Sequence, residues 1–165
     1  MIDLIIIRGA PGVGKTTVAA ALRDAIGHAV LFDVDYFCKM HGKHPKEVEA
    51  RYFAHRLIAL LAQEFYPLGH HIIIERMFKE QADIDHIIEL FSSKKYRIHV
   101  FTLESSLSSV IARDSLRTGD VHLGRDVTML LYDRFSRSDV QNKGFVINTE
   151  NRSVEEIVKE IREKI

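Results

Sequence analysis

Gly9-Ala10-Pro11-Gly12-Val13-Gly14-Lys15-Thr16 meets the spacing G-x-x-x-x-G-K-[ST] at every fixed position and follows the apolar run Leu4 to Ile7. These residue types at this spacing make a cradle for an anionic polyphosphate. Backbone N–H groups converge from a tight loop onto the start of a helix, where the helix dipole is positive. Gly9, Gly12 and Gly14 remove Cβ atoms from a loop that must curl. Lys15 places a point charge between the terminal phosphates, and Thr16 offers a hydroxyl to magnesium. The expected nucleotide-binding set is therefore Gly9, Ala10, Pro11, Gly12, Val13, Gly14, Lys15, Thr16 and the adjoining Thr17. A glycine-rich turn without a ligand asks for no Gly-Lys-Thr in this setting.

Phosphoryl transfer to an alcohol needs a carboxylate that orients the hydroxyl and accepts its proton, and oxygen groups around magnesium. Asp33 and Asp35 in Asp33-Val34-Asp35-Tyr36-Phe37 are candidates, since alternate residues of an extended segment face one way. Asp35 is the expected base and Asp33 the expected metal-side group, although either fits the base role, and both also fit a strand end or a cap. Ile72-Ile73-Ile74-Glu75-Arg76 ends an apolar run in an acid, the form of a Walker B carboxylate. Glu75 is longer than the usual Asp, so it also fits pairing with Arg76 or orienting an acceptor hydroxyl. Arg113 and Arg117, four apart on an expected helix, share a face and lead into a segment with Gly119, Gly124 and Arg125. That segment, 117–127, reads as a short lid that carries positive charge onto the transferring phosphoryl group. Arg134 and Arg137 lie further along and are weaker candidates, and exposed arginines of this kind are commonly just solvated.

These groups need strands and helices to hold them at one sheet edge. Apolar runs predict strands over Leu4–Arg8, Ala29–Phe32, His71–Ile74, Arg97–Leu103 and Phe145–Ile147. They are short, Val/Ile-rich and barely alternating, as parallel strands covered on both faces should be. Helices are predicted over Thr16–Ala25, Lys46–Phe65, Gln81–Phe91, Ser105–Leu116, Val127–Phe135 and Val154–Ile165, and Ser153-Val154-Glu155-Glu156 has capping-box spacing. The alternation predicts an α/β fold, with ligands at the carboxyl ends of an open sheet.

Composition narrows the functions. A chain of 165 residues is expected to be one domain, 1–165, and 23 Lys plus Arg against 23 Asp plus Glu gives no whole-molecule basic field for nucleic acid or anionic membrane. One cysteine, Cys38, allows no internal disulfide framework, and neither a signal-like start nor a membrane-length apolar run is seen, so a cytoplasmic setting is expected. Cys38-x-x-His41-x-x-His44 does not supply a four-ligand zinc spacing. Asn142-Lys143-Gly144-Phe145 lacks the Asp of a guanine-reading sequence.

The cradle, the acidic segment after the second strand, the strand ending at Glu75, the helix with Arg113 and Arg117 and the final Val146-Ile147-Asn148-Thr149 together resemble the small P-loop kinases, among them adenylate-kinase-like, shikimate, gluconate and chloramphenicol-modifying phosphotransferases. The resemblance implies a three-layer α/β/α fold with a five-stranded parallel sheet in order 2-3-1-4-5, ATP with Mg²⁺ as cofactors, and an acceptor pocket after strands two and three. It also implies Arg113 near the adenine, Arg117 near the phosphates and Asn148 to Arg152 near the adenine edge. Lys15, Asp35, Arg117 and Arg125 are then the catalytic set and Thr16, Asp33 and Glu75 the metal set. No Asp-Gly-x-Pro-Arg follows strand three, where Glu75-Arg76-Met77-Phe78 stands, which disfavours a nucleoside monophosphate acceptor. No Gly-Gly-Gly segment of the shikimate kinase kind is present either. Tyr36, Phe37, Tyr52, Phe53 and Phe78, with Arg51, Arg56 and Arg76, suit a small polar or antibiotic-like alcohol or a phosphorylated sugar, and the aromatics equally suit plain core packing. The expected function is ATP-dependent phosphorylation of a small-molecule hydroxyl by a monomer or homodimer. An NTPase or nucleotide-gated binding protein without an acceptor is the first alternative, and a nucleic-acid end kinase the second.

Overall fold

The computed structural model describes residues 1–42, 47–93, 95–119, 122–140 and 144–165. Its five strands are β1 (Ile2–Gly9), β2 (Ala29–Asp33), β3 (His71–Glu75), β4 (Tyr96–Glu104) and β5 (Phe145–Asn148). They pair in the order β2-β3-β1-β4-β5, and every pairing is parallel. The α/β class and the strand order are as expected, and each strand runs one to three residues beyond its apolar run because the ladder continues into flanking polar residues.

Leu4 and Ile6 point to one face of β1 and Ile5 and Ile7 to the other, and all four are fully buried. Each contributes roughly 1.5–3 kcal/mol. On the first face α3 (Val48–Phe65) and α4 (Gln81–Phe91) pack through Ala54, Ile58, Ile84 and Ile87. On the second, α1 (Lys15–Ile26) and α7 (Val154–Arg162) pack through Val18, Leu22, Ile157 and Ile161. The capping box of α7 is present in full, with Ser153 and Glu156 each satisfying the other's backbone N–H.

Two local expectations are corrected. A helix, α2 (Val34–Met40), starts directly after β2, where an extended segment was expected. The cause is Asp33, which acts as N-cap: its Oδ1 accepts the backbone N–H of Asp35 at 2.8 Å and of Tyr36 at 3.4 Å. Second, α5 (Leu107–Ser115) ends before Arg117, so Arg113 and Arg117 do not share a helical face. The chain leaves the helix because the Asp114 carboxylate accepts the N–H groups of Leu123 at 3.1 Å and Gly124 at 2.9 Å, drawing the start of α6 (Arg125–Ser136) back onto α5. Lys46 at the start of the second predicted helix, Asp120 and Val121 of the expected lid, His44 of the weighed zinc spacing, and Asn142 and Lys143 lie outside the described residues.

Candidate functional site

The cradle lies between β1 and α1. A Cβ on Gly9 would sit 2.7 Å from the Leu103 carbonyl oxygen and 2.8 Å from Val13 Cγ2, so only glycine lets the loop root pass β4. Gly14 is the N-cap of α1 at φ 101°, ψ 13°, a left-handed turn that glycine adopts readily. No side chain caps α1 and its first turn holds no acid, so neither competes for the N–H groups of Lys15, Thr16 and Thr17 or for the dipole. Ala10, Gly12 and Val13 are buried, Pro11, Gly14 and Lys15 are half-buried, and Thr16 and Thr17 are exposed. This is a phosphate cradle with an open mouth. Lys15 Nζ donates to the Ala10 carbonyl at 3.1 Å. Burial pushes the Lys15 ammonium below its usual pKa, against the pull of Glu75, Asp35 and Asp33, and Arg117 adds to the lowering. Candidates from three separate segments therefore act on one ammonium.

Glu75 ends β3 and is buried. Thr16 Oγ1 donates to its Oε1 at 2.9 Å. Burial holds the Glu75 carboxyl above the ordinary carboxylate range, while Lys15 and the Thr16 hydroxyl draw it back. A hydroxyl and a carboxylate side by side at the cradle are hard oxygen donors of the kind magnesium takes when phosphates and water complete its shell. The residues present fit that ion. Asp33 stands nearby, but one of its oxygens is committed to the α2 cap.

Asp35 lies in the first turn of α2, half exposed, with its Oδ1 accepting Arg76 Nε at 2.8 Å. Arg76 thus turns to Asp35 and not to its neighbour Glu75, as successive residues leaving a strand face opposite ways. Behind it, Arg76 Nη1 reaches Asp83 Oδ2 at 3.8 Å, and Arg51 binds Asp83 at 3.0 Å and Glu80 at 2.6 Å. Of the expected acceptor-side aromatics, Tyr36 is exposed and Phe37 and Phe53 are half-buried. Phe78 is buried, and Tyr52 stacks on His86 at 4.1 Å. Arg56 is exposed.

Arg113 ties the cradle to the end of β5: its Nη1 donates to the Val13 carbonyl at 3.3 Å and to Thr149 Oγ1 at 3.2 Å, its Nη2 to the Thr149 carbonyl at 2.8 Å. Asn148 is the last residue of β5, and its Oδ1 accepts the Glu150 N–H at 2.8 Å. Arg117 stands 4.0 Å from Asp114. Arg125 is exposed at the start of α6 and makes no ion pair among the described residues.

Two residues of the site, Arg8 and Asp114, escaped the sequence reading. Arg8, fully buried immediately before Gly9, donates through Nε to the Phe78 carbonyl at 2.9 Å, through Nη2 to Ser138 Oγ at 2.9 Å and through Nη1 to Thr102 Oγ1 at 3.3 Å. Burial brings its pKa down to about 10, against the pull of Glu104 and Asp139. A charge inside an apolar strand was its available signal. Asp114, which ties α6 to α5, had none. Thr149, which the sequence reading placed with Asn148 at the end of the final strand, also donates through Oγ1 to the Val13 carbonyl at 3.1 Å. Behind the cradle, Arg8, Ala10, Val13, Tyr132 and Asn148 border a cavity of about 370 Å³ that neither Lys15 nor Thr16 reaches.

A parallel sheet in this order, with a G-x-x-x-x-G-K-T loop opening onto α1, is the fold of the small P-loop kinases. The family model for Zeta toxin matches residues 3–157, and the chain belongs to that family. No curated protein sequence matches it. Among solved structures it is similar to a sugar kinase from Janibacter sp. HTCC2649, at 18% identity and TM-score 0.73 over 98% of this chain and 92% of that one. It is similar to the tunicamycin resistance protein of Deinococcus radiodurans, at 18% identity and TM-score 0.73 over 99% and 95%. It is also similar to the Mycobacterium tuberculosis APS kinase in complex with AMPPNP and APS, at 13% identity and TM-score 0.68 over 98% and 96%.

Proposed function

We propose that this chain transfers the γ-phosphoryl group of ATP to a hydroxyl of a small molecule. The observation that carries this reading is the link at the end of β3: Thr16 of the cradle donates to Glu75 at 2.9 Å, and the next residue, Arg76, donates to Asp35 at 2.8 Å, with Glu75 and Asp35 both acting on Lys15. An NTP cradle and an acceptor-side carboxylate thus address one place. The family and the kinase neighbours support the same reading.

The cradle N–H groups and Lys15 hold the phosphates, and Arg117 lies on the side from which charge on the transferring group is met. Thr16 and Glu75 would hold Mg²⁺, which when bound neutralises phosphate charge. Asp35, oriented by Arg76, accepts the acceptor's hydroxyl proton. The hydroxyl oxygen then bonds to the γ-phosphorus as the bond to the β,γ-bridging oxygen breaks and ADP leaves. Asn148 and Arg113 border the nucleoside side, and Arg125, the first residue of α6, stands near the end of the proposed 117–127 lid.

The test is ATP consumption with sugars, sugar acids, nucleosides and aminocyclitol or phenicol antibiotics. Acceptor-stimulated turnover that Asp35→Asn lowers by about 10²–10⁴-fold is expected. Slow hydrolysis indifferent to acceptor and to Asp35→Asn would instead make the protein a nucleotide-gated NTPase.

A further inference from the structure

Arg8 points to the same face of β1 as Leu4 and Ile6, at the carboxyl end of a strand whose pattern asks for another apolar side chain. Its guanidinium instead gathers three segments. Nε–H goes to the Phe78 carbonyl in the β3–α4 connection, Nη2 to Ser138 just beyond α6, and Nη1 to Thr102 on β4, while Cζ stands 4.7 Å over the Phe135 ring of α6. Ser138 passes the contact on: its Oγ donates to the Lys79 carbonyl at 2.7 Å. Next to it, the Asp139 carboxylate accepts the Gln81 N–H at the start of α4 at 2.8 Å. The end of α6 and the β3–α4 connection are thus laced together, and both hang on the residue that precedes Gly9.

The connection meets β1 at two points. The Arg76 N–H donates to the Ile7 carbonyl at 3.1 Å, and the Phe78 carbonyl takes the Arg8 Nε–H. Phe78 turns there at φ 40°, one of two positive values among the described non-glycine residues. Such a backbone persists only where its surroundings over-determine it. Arg76, two residues before that turn, is the residue whose Nε holds Asp35. Stability alone does not call for a charge at Arg8: its hydrogen-bond acceptors are all neutral, and well-packed apolar groups often replace a buried charge without loss. What a guanidinium adds is a rigid planar fork that fixes several acceptors in one geometry.

We infer that Arg8 is a positioning residue for phosphoryl transfer: its guanidinium fixes the β3–α4 connection and the end of α6 against the strand that carries the cradle, and so sets where Arg76 holds Asp35. The inference rests on the phosphotransferase reading and adds to it a residue that acts through Arg76.

Arg8→Met and Arg8→Lys test it in the full chain, with ATP and the acceptor that stimulates the wild type. Acceptor-stimulated kcat is expected to fall by about 10–100-fold in Arg8→Met, as for a misplaced reacting group, with KM for ATP changed by less than about threefold. Arg8→Lys keeps the charge without the fork and should lose nearly as much; where Arg8→Met does not fold, it carries the test. Exchange of the Arg76 Nε–H with water, followed by NMR without nucleotide, is the second readout. It should quicken in both variants, while the Arg51 Nε–H, bonded to Asp83 at 3.0 Å, keeps its wild-type rate. Unchanged Arg76 exchange, wild-type kcat in Arg8→Lys, or a loss confined to KM for ATP would overturn the inference. Quickened Arg76 exchange in a protein whose turnover no acceptor raises keeps the positioning of Arg76 by Arg8 and removes the kinase reading.

Discussion

At the scale of single residues, the site is a set of side chains whose burial is matched to a specific partner. Arg113 and Arg125 make the contrast plain, since one ties Val13 to Thr149 and the other faces solvent. Arg113→Met should therefore lower unfolding free energy by about 1.5–3 kcal/mol and weaken nucleotide binding, while Arg125→Met stays within about 0.5 kcal/mol in urea titrations. His55 is a second case. It is buried on α3 with Nδ1 3.0 Å from His86 Nδ1 on α4, and burial first, then His86, Arg76, Arg51 and Arg56, bring its pKa down to about 3. The unfolded chain, with an ordinary histidine near 6.5, binds the proton first as pH falls. Stability from this residue is thus complete above about pH 6.5 and is lost toward pH 3, at up to about 1.4 kcal/mol per unit. Asp83 and Glu75, raised by burial, titrate with the opposite sign, so the comparison of wild type with His55→Leu isolates the effect. Unfolding free energy measured from pH 7 to 4 should fall more steeply in the wild type, and parallel curves would refute the assignment.

At the scale of elements, the caps and ties decide where the chemistry-bearing residues stand. Ser153→Ala should cost about 1 kcal/mol in thermal unfolding, because the Glu156 N–H at the start of α7 loses its bond to the Ser153 hydroxyl. Asp114 does the equivalent job between α5 and α6. Burial works against its charge, but the N–H groups of Leu123 and Gly124, the Thr128 hydroxyl and His122 together hold the carboxyl below its usual range. Asp114→Ala should speed exchange of those two amides by about tenfold or more, leaving β1 amides protected. The sequence made legible what is local: the cradle between an apolar strand and a breaker-free helix, the strand ending in Glu75, and the Ser153 box. It did not reveal α2, because an Asp after a strand serves a strand end and an N-cap alike, and only tertiary packing decides between them. Arg117 was misplaced for a similar reason, since α5 stops where Asp114 captures a backbone ten residues on. The Arg76–Asp35 pair joins residues 41 apart and leaves no local pattern at all.

At the scale of the whole molecule, one parallel sheet carries every candidate group at its carboxyl edge. β1 delivers the cradle, β2 delivers Asp33 and Asp35, β3 delivers Glu75 and Arg76, and β5 delivers Asn148. The order β2-β3-β1 puts the two acid-bearing strands on one side of the cradle, and β4 and β5, with α5, put the arginines on the other. No described helix is long and apolar enough to cross a membrane. In the proposed reading, a nucleotide side and an acceptor side meet at Lys15, on which Glu75 and Asp35 both act. Lys15→Ala should therefore abolish turnover with every acceptor, and Asp35→Asn should abolish only its stimulation by acceptor. The most direct measurement is ATP consumption by wild type, Lys15→Ala and Asp35→Asn across the panel of small hydroxylated acceptors. The account predicts turnover that rises with one acceptor class in the wild type, is reduced to the unstimulated level by Asp35→Asn, and is absent in Lys15→Ala. Wild-type turnover that no acceptor raises and that Asp35→Asn leaves intact would contradict it.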